Sequence, residues 1–210
     1  MKAILLSAGR GSRLLPLTES RPKCLLPVQG TTLLGYQLDT LEAAGPFFNP
    51  FFQVADNLAS CWMVRERMDD DFLLINGDTL FALDLIQKVI AAPPAPITVT
   101  IDQKPAYDLD DMKVTLSGST LRAIGKTLSA SETDAESIGI LRFMGQGPEI
   151  FRSKLEQMMR TQDGVQAWFL KAINAIANTE DCVETVLIKG HRWAEVDTVS
   201  DFEGLQKNGF

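Results

Sequence analysis

The chain has 210 residues, of which 45% are apolar, and a formal net charge of −7 at pH 7. This length fits one domain with a substantial core, and the acidic balance argues against a general nucleic-acid binder, because duplex binding depends on clustered cations. No stretch approaches the roughly 18 apolar residues that a membrane span needs, so no membrane partner is expected. Three cysteines without metal-site spacing (Cys24, Cys61 and Cys182) predict reduced thiols and a cytoplasmic protein.

The first predicted element is a short apolar strand, Ile4 to Leu6, which we expect to be buried. It leads into a loop of small residues, Ser7 to Ser12, whose two glycines let the backbone approach a ligand and turn successive N–H groups towards an anion. Arg13 and Lys23 add two positive charges beside this loop. Together these features predict a site for a polyphosphate, most simply a nucleoside triphosphate.

Two better-known phosphate loops do not match this segment. No Gly-x-x-x-x-Gly-Lys-Ser/Thr string occurs in the sequence, which excludes a Walker A loop. The dinucleotide fingerprint Gly-x-Gly-x-x-Gly requires a third glycine, and this chain has Leu14 at that position. Pro16 follows shortly afterwards and disfavours the helix that the fingerprint should open.

Apolar spacing and capping residues predict the remaining elements in chain order. Helices are expected over 33–44, 57–68, 83–91, 148–159 and 165–177, and Ser200 is expected to cap a final helix. Strands are expected over 72–75, 97–101, 112–116, 121–125, 138–143, 183–189 and 193–196, with 112–125 forming a hairpin. This alternation predicts an α/β fold: a mainly parallel mixed sheet flanked by helices, with a small hairpin flap and ligands at the carboxyl ends of the strands.

The complete N-terminal string is more specific than its two glycines. Gly-x-Gly-x-Arg-Leu-x-Pro-Leu-Thr followed by Pro-Lys-x-Leu-x-Pro-Val resembles the signature of sugar-phosphate nucleotidyltransferases and their phosphocholine cytidylyltransferase relatives. The resemblance implies a Rossmann-like nucleotidyltransferase fold in a single domain, residues 1–210. Every signature position is filled, by Gly9, Gly11, Arg13, Leu14, Pro16, Leu17, Thr18, Pro22, Lys23, Leu25, Pro27 and Val28.

One part of the chain, near residues 45–47, departs from the family pattern. Members of the family usually place a second strand and a crossover helix where this chain has only about a dozen residues, between Ala44 and Asn57. Either a natural deletion has removed this unit, or the sequence omits residues that the protein contains. We favour omission, because a deletion would leave apolar neighbours uncovered; an intact mass of 23.1 kDa would contradict omission.

Two aspartates are the candidate metal ligands. Asp78 follows the apolar run 72–75 after Asn76 and Gly77, at the end of a predicted buried strand, where a side chain faces the ligand cleft. Asp197 lies in the string Trp-Ala-Glu-Val-Asp. Each aspartate alone could be a helix cap or a surface charge, but both strings resemble metal-binding aspartates of the family. Two converging carboxylates repel each other unless a cation lies between them, and Mg²⁺ suits oxygen ligands of this kind.

The resemblance implies nucleotidyl transfer, in which a phosphate or phosphonate oxygen of an acceptor attacks the α-phosphorus of a nucleoside triphosphate and pyrophosphate leaves. Because that oxygen is already anionic, positioning and charge stabilisation suffice. The catalytic roles are assigned to Arg13, Lys23, Asp78 and Asp197. Nucleotide contacts are expected from Leu6, Ser7, Ala8, Gly9, Gly11, Ser12, Arg13, Lys23, Asn57, Ser60, Asn76 and Gly77.

The acceptor end of the site is predicted from shorter matches. Lys126 aligns with a family lysine that grips the acceptor's phosphate, and Glu136 and Gly139 are expected beside it. The segment from Asn57 to Ser60 resembles the Asn-x-x-Ser segment of the phosphocholine and inositol-phosphate cytidylyltransferase branch. This favours CTP with a small phosphorylated alcohol or a phosphonate. A cationic acceptor would need aromatic faces or carboxylates, which Tyr107, Trp168, Trp193, Asp110, Asp111 and Glu136 could supply.

Several alternatives stay open at this stage. The chain could instead be a hexose-1-phosphate nucleotidyltransferase that uses UTP, GTP, ATP or dTTP. It could also be a regulatory homologue that binds a nucleotide without turnover, or a scaffold protein on the same fold. Many enzymes that resemble this chain form homodimers, and the sequence leaves the oligomeric state undecided.

Overall fold

The computed structural model describes residues 1–9, 11–41, 47–51 and 53–210. In this part of the chain, helices flank a seven-stranded sheet that is accompanied by two small two-stranded sheets. The helices are α1 (Leu33–Thr40), α2 (Asn57–Met63), α3 (Leu83–Ala91), α4 (Gly147–Met159), α5 (Phe169–Ala177) and α6 (Val199–Asn208). The strands are β1 (Lys2–Leu6), β2 (Pro27–Val28), β3 (Thr31–Thr32), β4 (Phe72–Asn76), β5 (Thr79–Phe81), β6 (Ile97–Asp102), β7 (Lys113–Ser117), β8 (Thr120–Gly125), β9 (Ala135–Phe143), β10 (Val183–Leu187) and β11 (Trp193–Glu195).

The main sheet is mixed, with the strand order β1-β4-β9-β6-β10-β8-β7. Only the pairs β1–β4 and β6–β10 are parallel, whereas β9 runs antiparallel to both β4 and β6. The expectation of a mainly parallel sheet is therefore wrong. A parallel neighbour requires a crossover that is usually a helix, and the chain between β6 and β9 forms the predicted β7–β8 hairpin instead.

Part of the sheet curls into a barrel-like ring. The first residues of β9 pair with β7, while its later residues pair with β6 and β4. The strands β9, β6, β10, β8 and β7 therefore form a closed series of neighbours. The register between β6 and β9 shifts between Val99 and Ile101, where β9 contains the extra residues, and Gly139 of β9 has a positive φ of 75°.

Strand β4 shows how the core is divided between the two faces of the sheet. Phe72 and Leu74 point into the larger cluster, which α2, α4 and α5 cover. Leu73 and Ile75 point to the other face, where α3 packs. Every residue of this apolar run is buried, as expected for a strand covered on both faces.

Strand β1 lies at the edge of the sheet and differs from its prediction. Among the strands of the described residues it pairs only with β4. Ile4, Leu5 and Leu6 are consequently half-buried rather than fully buried. The expected second strand-and-helix unit belongs beside this region, but residues 42–46 lie outside the described part of the chain. The missing unit near 45–47 therefore stays a prediction.

The ends of several elements also differ from the sequence prediction. α1 ends at Thr40, and α2 ends at Met63 before a short 3-10 turn. The segment predicted as one helix over 165–177 is a 3-10 turn followed by α5. Ser200 does not cap α6: Thr198 does, since its side chain accepts from the N–H of Asp201, whose carboxylate accepts from the N–H of Thr198. In the described residues no helix has both the length and the hydropathy for a membrane crossing.

Candidate active site

A cleft opens where the parallel strands β1 and β4 end side by side. Leu6 pairs with Asn76, and the N–H of Gly77 donates to the carbonyl of Leu6 at 3.0 Å. A Cβ on Gly77 would lie 2.5 Å from Ser7 Oγ and 2.6 Å from the Leu6 carbonyl oxygen. Glycine is therefore required for this close approach, which brings Asp78 to the loop that follows β1.

The loop after β1 is shaped around Gly11 and Lys23. Gly11 has a φ of 63°, and a Cβ there would lie 2.9 Å from Thr18 Cγ2 and 3.0 Å from Lys23 Cβ. The Thr18 hydroxyl donates to the Gly11 carbonyl at 2.8 Å. These signature residues thus fix the backbone conformation of the loop and the position of the Lys23 side chain.

Four charged side chains from separate parts of the sequence converge in the cleft. Lys23 Nζ lies 3.0 Å from Asp78 Oδ2 and 2.6 Å from Asp197 Oδ1. Arg13 Nη2 lies 2.8 Å from Asp197 Oδ2. The start of α6 holds Asp197 in place, because its N–H donates to the Asp201 carboxylate at 3.1 Å. The structure therefore brings together all four residues to which the sequence assigned catalytic roles.

The ion pairs keep the central lysine and aspartate charged. Burial alone would lower the pKa of Lys23, but Asp78 and Asp197 outweigh it and the pKa is raised. Burial would raise the pKa of Asp197, but Lys23 and Arg13 outweigh it and the pKa is lowered. At neutral pH the cleft thus presents an ammonium between carboxylates.

Glu195 is a third carboxylate of this site that the sequence reasoning missed. One carboxylate oxygen from each of Asp78, Glu195 and Asp197 lies within 4.8 Å of the other two. The side chain of Glu195 retains solvent contact, yet the surrounding protein and then the charges of Asp78 and Asp197 raise its pKa to about 8. The sequence did contain an indication of this role, because Glu195 and Asp197 are two residues apart and side chains with this spacing in an extended segment lie on the same side.

The donor set fits a hard divalent cation. Asp78 Oδ1 is buried and has no hydrogen-bond partner among the described residues, and an unpaired buried carboxylate oxygen is costly. With Glu195 and Asp197 it offers the carboxylate oxygens that Mg²⁺ prefers, and Mg²⁺ is commonly held by one or two carboxylates together with substrate phosphates. Asp78, Glu195 and Asp197 are the residues that would hold such an ion.

Eight of the twelve predicted nucleotide-binding residues line this cleft, and four do not. Asn57 Oδ1 accepts from the N–H of Phe169 at 2.8 Å, and Ser60 Oγ accepts from Asn49 Nδ2 at 2.9 Å. Asn76 ends β4, and its carbonyl accepts from Gln37 Nε2 at 2.9 Å. The cleft is lined by Leu6, Ser7, Gly9, Gly11, Ser12, Arg13, Lys23, Cys24, Gly77, Asp78 and Asp197, while Ala8 lies in the same loop but is not part of the lining.

The three predicted acceptor residues have different environments. Lys126 Nζ lies 3.3 Å from Asp110 Oδ1. Glu136 is only 6% exposed and lies 2.9 Å from Lys104 Nζ; burial raises its pKa, which Lys104 partly offsets. Gly139 packs against Asn76, whose Nδ2 would lie 2.4 Å from a Cβ at this position. Gly139 therefore has a packing role in β9.

Asp110 lies between Arg13 and Lys126. In addition to Lys126, it accepts from Arg13 Nη1 at 3.2 Å. Its side chain is 73% exposed, and it lies in the segment between β6 and β7. Arg13 beside the glycine loop and Lys126, the predicted acceptor lysine, are thus both paired with one surface carboxylate.

The aromatic side chains that could surround a cationic acceptor already contact groups of the protein. Lys126 Nζ lies 4.8 Å from the centre of the Trp168 ring, and Lys104 Nζ lies 5.8 Å from that of Tyr107. The indole N–H of Trp193 donates to Asp102 at 2.7 Å. These contacts do not join the three rings into one aromatic cage.

Comparison with known proteins assigns the N-terminal segment to a family. The model of the nucleotidyl transferase family matches residues 2–47, which include the glycine loop, Arg13 and Lys23. The chain is 25% identical over 259 residues to a CTP:phosphoglutamine cytidylyltransferase of Campylobacter jejuni, covering 97% of this chain and 98% of that protein. Since 97% of 210 residues is about 204, about 55 of the 259 aligned positions have no counterpart in this chain.

Two solved structures share the fold over almost the whole chain. The inositol-1-phosphate CTP transferase of T. maritima has a TM-score of 0.79 and 17% identity, covering 95% of this chain and 90% of its own. A CTP:phosphocholine cytidylyltransferase of Streptococcus pneumoniae has a TM-score of 0.78 and 20% identity, covering 98% and 97%. At these identities the likeness concerns the fold.

Proposed function

We propose that this chain, whose residues 2–47 match the model of the nucleotidyl transferase family, transfers the nucleoside monophosphate of CTP to a small phosphorylated acceptor and releases pyrophosphate. The observation that carries this proposal is the convergence of Arg13, Lys23, Asp78 and Asp197 beside a glycine loop at the ends of β1 and β4. The residues that would bind a triphosphate, hold a cation and stabilise a leaving pyrophosphate therefore share one cleft.

The proposed mechanism relies on positioning and charge rather than on a general base. N–H groups of the loop from Ala8 to Ser12 bind phosphate oxygens. Arg13 and Lys23 neutralise the negative charge that develops on the leaving pyrophosphate. Lys126 binds the acceptor's phosphate and aligns its oxygen with the α-phosphorus. A Mg²⁺ ion held by Asp78 and Asp197 would supply Lewis-acid stabilisation of the transferred phosphoryl group.

The relatives support the choice of CTP. The Campylobacter relative and both solved structures have names that specify CTP, whereas their acceptors differ: phosphoglutamine, inositol-1-phosphate and phosphocholine. A phosphorylated small molecule is common to all three. The aromatic contacts described above give no separate support for a quaternary ammonium acceptor, so the proposed acceptor is a phosphorylated small molecule.

The proposed activity can be tested directly by pyrophosphate release in the presence of Mg²⁺. CTP, UTP, GTP, ATP and dTTP are each combined with phosphoglutamine, phosphocholine, phosphoethanolamine, aminoethylphosphonate, inositol-1-phosphate and glucose-1-phosphate. We expect release with CTP and one of the non-hexose acceptors. Release only with glucose-1-phosphate would assign the chain to the sugar-nucleotide branch, and CTP binding without release in any combination would favour a regulatory homologue.

Asp110 provides a second test of the assigned phosphate contacts. Because this carboxylate pairs with Arg13 and Lys126, it competes with the phosphates that both cations are proposed to bind. We expect Asp110→Asn to lower the KM for both substrates by about two- to fivefold, the range of weak exposed ion pairs. Asp108→Asn, an exposed aspartate of the same segment, is the matched control, and a higher KM in Asp110→Asn would contradict the competition.

A further inference from the structure

Lys23 occupies the position between two carboxylates that a metal ion would share. Its ammonium contacts Asp78 at 3.0 Å and Asp197 at 2.6 Å. The side chain is only 12% exposed, so these two contacts take place with little competition from water. A monovalent cation supplied by the chain itself thus balances part of the negative charge of the carboxylate cluster.

The local backbone directs the lysine side chain into this position. Lys23 begins a short 3-10 turn, Lys23–Leu25. Its Cβ packs against Gly11, since a Cβ placed on Gly11 would lie only 3.0 Å from it. The contact is therefore a consequence of the glycine loop and not of a freely rotating surface lysine.

An ammonium and a divalent cation cannot both occupy the space between Asp78 and Asp197. The two cations would then be in contact with the same carboxylates, and like charges that close together repel strongly in a partly buried site. Binding of a divalent ion to both carboxylates therefore requires the ammonium to move. The ammonium will leave readily only if another anion receives it, and a triphosphate bound to the adjacent loop provides such an anion.

We propose that Lys23 is an internal substitute for the metal ion, which keeps divalent cations bound weakly until a triphosphate draws the ammonium away. The role of the triphosphate in this inference rests on the proposed function. Metal and nucleotide binding are then positively coupled through Lys23, and thermodynamic linkage requires each ligand to strengthen the other by the same factor.

The test measures metal binding rather than turnover, with Mn²⁺ alone as the probe. Mn²⁺ is titrated into the full chain without nucleotide, and free Mn²⁺ is followed by electron paramagnetic resonance. We expect Lys23→Met to bind Mn²⁺ at least about tenfold more tightly than the unaltered protein, because the competing charge is gone. Lys104→Met removes a lysine that pairs with Asp111 and Glu136 instead, and we expect the Mn²⁺ affinity of this control to change by less than about twofold.

A second variant keeps the test decisive if the methionine variant does not fold. Lys23→Gln retains a donor for the carboxylates but removes the charge, and we expect the same direction of change. Equal or weaker Mn²⁺ binding in a folded Lys23 variant would overturn the inference. Tighter Mn²⁺ binding together with no pyrophosphate release from the unaltered protein would support the metal competition and contradict the proposed function, so the two failures are distinguishable.

Discussion

Asp78→Asn and Asp197→Asn are each expected to reduce pyrophosphate release by more than about a thousandfold. Each change removes a carboxylate that contacts Lys23 and that is proposed to hold Mg²⁺. The lost charge stabilisation amounts to several kcal/mol of the activation barrier, and every 1.36 kcal/mol corresponds to about tenfold in rate. The measurement is kcat for pyrophosphate release with CTP and the best acceptor.

The fold is expected to survive these substitutions, because asparagine has the size of aspartate, its amide oxygen can still accept from the Lys23 ammonium, and the remaining aspartate keeps that ammonium paired. Circular dichroism and the urea midpoint should therefore stay close to those of the unaltered protein. Asp84→Asn is the matched control. Asp84 is an exposed residue of α3 outside the cleft lining, and its carboxylate lies 2.8 Å from His191 Nδ1. Full activity in either Asp78→Asn or Asp197→Asn would contradict the metal assignment.

Arg142→Met is expected to destabilise the protein more than any surface substitution, by on the order of 3 kcal/mol or more. The Arg142 side chain is fully buried in β9. Its guanidinium donates to the carbonyls of Val89 and Ile90 in the last turn of α3 and to those of Ala92 and Pro93 just after it. It also donates to the Thr98 hydroxyl, and the five distances are 2.6 to 3.0 Å. Methionine fills a similar volume but leaves those acceptors without a donor, and a buried acceptor that has lost its partner is costly.

The measurement for Arg142→Met is the free energy of unfolding in urea, with the slope checked for constancy. Arg122→Met is the matched control, because Arg122 pairs with the exposed Asp181 on the surface, where such pairs contribute about 0–1 kcal/mol. Arg142→Lys is expected to fall between the two, since a lysine retains the charge but cannot reach five acceptors. A loss below about 1 kcal/mol in Arg142→Met would show that these hydrogen bonds contribute little.

The cleft was more predictable from the sequence than the sheet. The signature carries the glycine loop, Arg13 and Lys23 in one continuous stretch, and Asp78 follows the apolar run 72–75 after only two residues. Such local patterns can be recognised in the sequence, because the residues that form them are close together in the chain. The two aspartates were expected to converge, and the distances to Lys23 agree with that expectation.

Long-range pairing accounts for most of what the sequence did not reveal. The apolar pattern of β9 is the same for a parallel and an antiparallel neighbour, so the strand direction depended on the connection through the β7–β8 hairpin. Arg142 lies inside a predicted strand, yet no local pattern indicates that its charge is buried and bonded to the end of α3. Asn57 likewise carries a motif that resembles a binding segment, but its side chain joins α2 to the start of α5.

The curled part of the sheet supplies the proposed acceptor residues separately from the lining of the cleft. The surface proposed to bind the triphosphate comes from the loop after β1 and from the end of β4. The proposed acceptor residues lie elsewhere, Lys126 just after β8 and Glu136 at the start of β9. Backbone pairing with β10 and β9 holds the β7–β8 hairpin in place, so the side chains beside it can vary while the strand ladder persists. Under the proposed function, substitutions in this region can therefore change which acceptor is used while the residues that contact the nucleotide stay the same. A mutant library restricted to residues 103–136 would then select for new acceptors with the same nucleoside triphosphate.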